Sequence, residues 1–343
     1  MKNFTKKRRS WLFMFSILCL GLTFLYVGCT EDTVTTTTGG GNTISTKWSV
    51  TPQTSGITET SIFEICVDPT SGKIWAVGDK GVILTSADKG TTWTKQDSGG
   101  ETPLQSVFFV NENDGWVVGD GGAVLHTKDG GAKWEKQNSG ITEKLRSVFF
   151  ANNTIGWAAG EAGKIISTKD GGIAWNAQPN SNNQPIESIY FAKPKPGEVV
   201  MNKGWAAGSG GVVVHTDNAG TVWTKQNSKI ADPLYCIYFD SDTRGWAVGK
   251  SGTILTTTDG GITWNQSASA AAQGKTLYDV AFLNAANGVA VGSGGKIIFT
   301  TDGKNWEAME SNTTKVLWGV SFINANEGWA VGDLGTILYI KKL

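Results

Sequence analysis

Hydroxyl, carboxylate, glycine and tryptophan recur together in this chain at fixed intervals. A hydroxyl beside a carboxylate is the raw material of nucleophilic or acid–base chemistry. The fullest instance is "TTDGGITW", with Thr257, Asp259, Gly260, Gly261 and Trp264. Related octets are "SADKGTTW" ending at Trp93, "TKDGGAKW" at Trp134, "TKDGGIAW" at Trp175 and "TDNAGTVW" at Trp223, and a shortened "TTDGKNW" ends at Trp306. One catalytic centre is not written six times over. Calcium is no better served, because each octet offers a single carboxylate where that ion takes six to eight oxygens. The hydroxyl and carboxylate instead fit the acceptors of a tight turn, the glycine a positive-φ position, and the tryptophan a large apolar surface for burial.

The elements that carry the octets follow from their spacing. The octet tryptophans are separated by 41, 41, 48, 41 and 42 residues. A second tryptophan column lies mostly 18 residues earlier: Trp75, Trp116, Trp157, Trp205, Trp246 and Trp329, with Val289 in the sixth copy. A tandem period near 41 marks a repeat architecture. Each period reads as four short strands punctuated by Gly and Asn, as in "LRSVFF", "GWAAG", "KIISTK" and "AWNAQ". No sustained helical periodicity appears after the N-terminal segment. The expected fold is all-β, a seven-bladed β-propeller of four-stranded antiparallel blades. The copies begin near Ile62, Leu104, Leu145, Ile186, Leu234, Leu277 and Leu317, and number blades one to seven. The seventh lacks its octet and fourth strand, whereas "KWSVTPQTSGIT" around Trp48 aligns with "KWEKQNSGIT" around Trp134. The N-terminal strand is therefore expected to complete blade seven and close the ring, leaving no free sheet edge.

The octet resembles the Asp-box (BNR) repeat of sialidase-type propellers. More closely, "GWAVGKSGTILTTTDGGITW" resembles the repeat of the photosystem II stability/assembly factor family and its bacterial relatives. The resemblance runs from Trp48 to the C-terminus and implies the propeller fold. It implies much less about function, because one fold hosts many activities. A sialidase would need three arginines around a carboxylate, but only Arg146 and Arg244 follow Cys29, and no "RIP" motif is present. The assembly-factor resemblance implies a basic, arginine-rich face at inner-strand positions, and only Arg146 matches it. His126 and His215 share a repeat column in separated blades, which does not build a metal site. Cys66 and Cys236 fall in blades that are not neighbours, which argues against a disulfide, and they read as small buried residues. No metal site, phosphate loop or dinucleotide fingerprint is found, and no cofactor is expected.

Function is sought where the repeats disagree. In the first, innermost strand the fourth position is uniformly Val or Ile and the sixth almost uniformly Phe, so both are core. The second position varies: Phe63, Gln105, Arg146, Glu187, Tyr235, Tyr278 and Trp318. This column is expected at the mouth of the central channel, with an aromatic arc on blades five, six, seven and one and a polar arc on blades two to four. It either forms a recognition surface for peptide or sugar, or plugs the channel with large side chains. The turns between second and third strands are expected on the same face, with Asp79, Asp120, Glu161 and Asp333 against Ser209, Lys250 and Ser293. They make an acidic and a neutral-to-basic arc, or simply satisfy turn chemistry. Blade four also carries a seven-residue insertion in "AKPKPGEVVMNKGW", either a contact loop or a tolerated one.

Residues 1–28 hold five basic and no acidic groups around an apolar run, followed by "YVGC". They read as a lipoprotein signal peptide with lipidation at Cys29, or as an uncleaved signal anchor. Residues 29–46 read as a flexible Thr/Gly-rich tether and 47–343 as the propeller. The propeller is thus expected outside the cytoplasm, periplasmic or at the cell surface, as a monomer held to the membrane through lipid alone. After residue 28 there are 25 basic against 30 acidic groups, a net charge near −5, which disfavours nucleic acid. Two functions are carried forward. One is a non-catalytic envelope scaffold or assembly factor that binds a protein. The other is a glycan-binding or glycan-cleaving Asp-box propeller, since Asp and Glu are plentiful.

Overall fold

A computed structural model of the chain describes residues 48–192, 201–267, 270–284 and 286–343. The signal-peptide, tether and Cys29 readings, and most of the blade-four insertion, lie outside the described residues. Seven four-stranded antiparallel sheets are present among them. Blade three shows the pattern: Leu145–Phe150 innermost, then Gly156–Gly160, Ile165–Thr168 and Asn176–Ala177. The only helical pieces among the described residues are single 3-10 turns such as Glu161–Gly163.

Blade seven is completed as expected. Leu317–Asn324, Glu327–Gly332 and Ile337–Lys342 are joined by the N-terminal strand Trp48–Gln53, which pairs Trp48 with Lys342 through Gln53 with Ile337. Ring closure is visible in the packing. Ile62, Ile65 and Val67 of blade one share a buried core with Trp329, Val331 and Ile337 of blade seven. The other seams are built alike, for example Ile189 and Phe191 of blade four against Trp157 and Ile165 of blade three.

Both tryptophan columns are inter-blade fasteners. The earlier column is fully buried, with Trp75, Trp116, Trp205 and Trp329 at 0% exposure. Trp75 stacks on Phe109 of the next blade at 3.6 Å, and Trp205 on Phe239 at 3.6 Å. Each indole N–H also needs an acceptor, and five of the six find it in the next octet: Trp75 donates to the Gly130 carbonyl at 3.0 Å and Trp205 to that of Gly260 at 2.9 Å, whereas the Trp329 N–H is buried without a partner among the described residues. Gln226 donates to the same Gly260 carbonyl at 2.9 Å and accepts from Trp264 at 3.3 Å. The octet tryptophans are less uniform than their repetition suggests: Trp264 is buried, whereas Trp93, Trp134 and Trp175 are half-buried.

Within the octet the hydroxyl is the hub. Buried Thr257 accepts the Gly261 N–H at 2.9 Å and donates to the Asp259 carboxylate at 2.8 Å. Asp259 accepts the Thr263 N–H at 2.9 Å. The same bonds recur around Ser86, Thr127 and Thr168. They hold the octet acids below the usual carboxylate range. For Asp259 the Thr263 hydroxyl is the foremost cause, for Asp170 the Ala174 N–H, and for Asp302 the Asn305 N–H brings it to about 2.

Candidate functional site: the mouth of the channel

Glycine ends the second strand in every blade, and Gly160 shows why. A Cβ there would lie 2.0 Å from the Lys144 carbonyl oxygen of the chain entering the innermost strand. That close approach lets the Glu161 N–H bond the Lys144 carbonyl at 2.9 Å. It also forces an irregularity one step later. Leu145 pairs with Gly160 and Ser147 with Ala159, so Arg146 is skipped by the ladder. The same register shift falls at the second position of all seven inner strands. A bulge re-aims the residue it releases. The varying column is therefore the bulged column: Phe63, Gln105, Arg146, Glu187, Tyr235, Tyr278 and Trp318, every one half-buried.

The released side chains meet the turns between second and third strands, so the two share one face. Gln105 donates to Asp120 at 2.9 Å and Trp318 to Asp333 at 2.7 Å. Arg146 pairs with Glu161 at 3.0 Å and with Glu187 of the next blade at 3.1 Å. Burial raises Glu187 above the usual carboxylate range, against the pull of Arg146. Burial likewise raises the phenols of Tyr235 and Tyr278. The aromatic arc is continuous. Tyr235 and Tyr278 lie 5.0 Å apart, Tyr278 and Trp318 4.3 Å, and Phe63 meets Trp318 edge-on at 6.2 Å. Ser61 also donates to Asp333, at 2.8 Å, which fixes the acceptor that orients the Trp318 indole.

Arg146 is thus held between two carboxylates and is not free to clamp an anion. Arg244 is elsewhere, paired with Asp240 in the loop after an inner strand. His126 stacks on Trp116 at 4.4 Å with Asp114 3.0 Å from its Nε2, and His215 leans on Trp205 at 4.9 Å. Among the described residues no group of three or more His, Cys, Asp or Glu side chains could hold a metal ion. Nor is any helix long and apolar enough to cross a membrane.

The column missed from sequence is the third of the inner strand. Ser106, Ser147 and Ser188 each accept an N–H from the next blade, of Val148 at 3.3 Å, Ile189 at 3.1 Å and Ile237 at 3.2 Å. In blade six Asp279 does the same, accepting Val320 N–H at 2.8 Å and Val280 N–H at 2.8 Å. Blade seven has Gly319 here, and blade one Glu64, which accepts Ile65 N–H at 2.9 Å. Burial raises Glu64 well above the carboxylate range, and the Asp279 charge adds to it; burial also raises Asp279. The available signal was an acid inside an apolar strand, in "IFEICV" and "LYDVAF". Cys66 and Cys236 are free and half-buried rather than buried; burial nonetheless pushes the Cys66 thiol up to about 12.

The family model described as Photosynthesis system II assembly factor YCF48 matches residues 100–200, 133–233 and 233–301, and a DUF6242 beta propeller domain model matches residues 10–146. No curated protein matches. Among solved structures, YCF48 from Cyanidioschyzon merolae is 20% identical with a TM-score of 0.70, covering 86% of this chain and 98% of its own. YCF48 bound to D1 peptide is 20% identical with a TM-score of 0.68, covering 85% and 96%. A catalytically inactive virginiamycin B lyase from Staphylococcus aureus with quinupristin is 13% identical with a TM-score of 0.71, covering 87% and 100%. Such likenesses establish the fold, which binders and enzymes share. With the repeat, the closed seven-bladed ring and the matched models together, this chain belongs to the family of the photosynthesis system II assembly factor YCF48.

Proposed function

We propose that this protein is a non-catalytic scaffold that binds a protein partner of the cell envelope through the mouth face, held to the membrane by lipid on Cys29. The observation that carries the reading is the bulged column. Seven conformationally equivalent positions are released from their ladders, and their residues range from Arg and Glu to Tyr and Trp, while the first and fourth positions of the same strands stay Ile, Leu or Val. A column that served only to close the ring would be free to repeat itself, as the fourth position does. Membership of a family with a member solved bound to a peptide supports the same direction. The turn acids Asp120, Glu161 and Asp333 are taken up by Gln105, Arg146 and Trp318. That arrangement suits a fixed surface better than proton transfer. The aromatic arc favours a second reading, glycan binding, since sugars also stack on aromatic faces.

Replacing Tyr235, Tyr278 and Trp318 together by alanine tests both. Loss of envelope-protein co-purification, with glycan-array signal unchanged or absent, supports the scaffold. Loss of glycan-array binding alone supports the sugar reading. No change in either leaves the column a plug and refutes the proposal.

A further inference from the structure

The charge balance at the mouth says what kind of partner group the aromatic arc can take. On the polar side the cations are already committed, Arg146 to Glu161 and Glu187 and Lys144 to Asp120, and on blade five, where the aromatic arc begins, Lys250 pairs with Asp232. An incoming carboxylate finds no free guanidinium there. On the aromatic side the balance is reversed. Asp333 stands behind Trp318. The Glu64 and Asp279 carboxylates flank Gly319, which brings no side chain of its own; a Cβ on Gly319 would lie 3.0 Å from a Glu64 carboxylate oxygen. None of these three acids forms an ion pair among the described residues. Lys275 and Lys315 on the rim of the same side are exposed. Water and salt screen them over about 8 Å, whereas charges inside the channel are screened far less.

We infer that the Tyr278–Trp318–Phe63 side of the mouth receives a cationic side chain, lysine or arginine, from an extended segment of the protein partner, with Asp333, Glu64 and Asp279 as its counter-charge. The inference rests on the mouth being the partner-binding face. The three rings offer the π surface that attracts ammonium and guanidinium groups. Below them, Asp279 has both oxygens on backbone N–H groups, whereas Glu64 holds one, from Ile65. Without a ligand, the two half-buried, closely placed carboxyls are eased by a proton on Glu64. An arriving cation takes that proton's place: the Glu64 carboxyl ionises, the ammonium or guanidinium pairs with it, and one proton leaves to solvent. Affinity therefore rises with pH.

The test uses the full chain in detergent and fluorescein-labelled glycine–serine octapeptides whose two central residues are lysine, arginine, norleucine or glutamate. Fluorescence polarisation should show the lysine and arginine peptides binding at least tenfold more tightly than the other two, and more tightly at pH 8 than at pH 5. Glu64→Gln keeps an acceptor for the Ile65 N–H, so a thermal melt should confirm folding. It should weaken lysine-peptide binding about tenfold at pH 8 and flatten the pH dependence; Asp279→Asn gives an independent check. Norleucine binding as well as lysine, or glutamate binding more tightly, overturns the inference. If Tyr278→Ala with Trp318→Ala abolishes partner capture while no charge preference appears, the mouth reading stands and the cation assignment falls. If those substitutions leave capture intact, the mouth reading itself falls, and this inference with it.

Discussion

Replacing Thr257 by valine asks directly whether an octet is scaffolding. The side chain is 1% exposed, so valine fills the same space and removes only the hydroxyl. The buried Gly261 N–H then loses its acceptor at 2.9 Å, and the short bond to Asp259 at 2.8 Å is lost with it. An orphaned buried donor costs about 1–3 kcal/mol, and a lost turn bond adds about 0.5–1.5 kcal/mol. Part of the second is recovered, because the exposed side of Asp259 can turn to water. A net loss of about 2–3 kcal/mol follows. For a chain of this length that lowers Tm by about 3–5 °C.

Asp259→Asn is the paired control, and blade four already contains its outcome. Asn218 occupies the acid position there, accepting the Thr216 hydroxyl at 2.8 Å and the Val222 N–H at 2.9 Å, just as Asp259 does with Thr257 and Thr263. The turn bonds themselves need only an oxygen acceptor, so Asp259→Asn should keep them and lose only the bond from the Thr263 hydroxyl, shifting Tm less than Thr257→Val at neutral pH. Differential scanning calorimetry and partner co-purification on both variants decide the matter. A Thr257→Val protein that melts within about 1 °C of the parent, or an Asp259→Asn protein that melts normally and loses partner capture, refutes the structural account.

The pH dependence of stability should have two limbs of opposite sign. The octet carboxylates are depressed by turn hydrogen bonds, so their contribution is present at neutral pH and lost as pH falls through their folded values, with Asp302 last at about 2. Glu64 is raised by burial and by Asp279, so its contribution is full below its ordinary value and is lost as pH climbs toward the folded one. Glu64→Gln should therefore melt higher than the parent at pH 8 and like it at pH 4; equal melting at both refutes the coupling of Glu64 with Asp279. Deleting Trp48–Gln53 exposes the Ile337–Lys342 edge and should give aggregates or dimers by light scattering; an unchanged monomer refutes the closure argument. With Cys19 and Cys29 replaced by serine, the thiols of Cys66 and Cys236 should resist a disulfide reagent at pH 8, since burial holds both above the ordinary thiol range; prompt modification refutes that reading.

What sequence could and could not show divides along one physical line. The period, the blade count and the closing strand are written in tryptophan, glycine and β-branched spacing, because each blade must bury the same surfaces against its neighbours. The mouth column stood out for the converse reason, since its residues vary among equivalent strands whose first and fourth positions do not. Its mechanism was not legible. The bulge arises from a backbone approach, Gly160 against the Lys144 carbonyl, and no side chain records it. The third column hid for a related reason. Serine in a strand is unremarkable, yet Ser147 reaches across the seam to Ile189, and the same geometry places Asp279 and Glu64 on either side of Gly319. Those two acids are far apart in the chain and meet only because the ring closes. The strand Trp48–Gln53 therefore does more than cover an edge. By completing blade seven between blades six and one, it sets the spacing of the Glu64 and Asp279 carboxyls and of the Tyr278–Trp318–Phe63 arc above them.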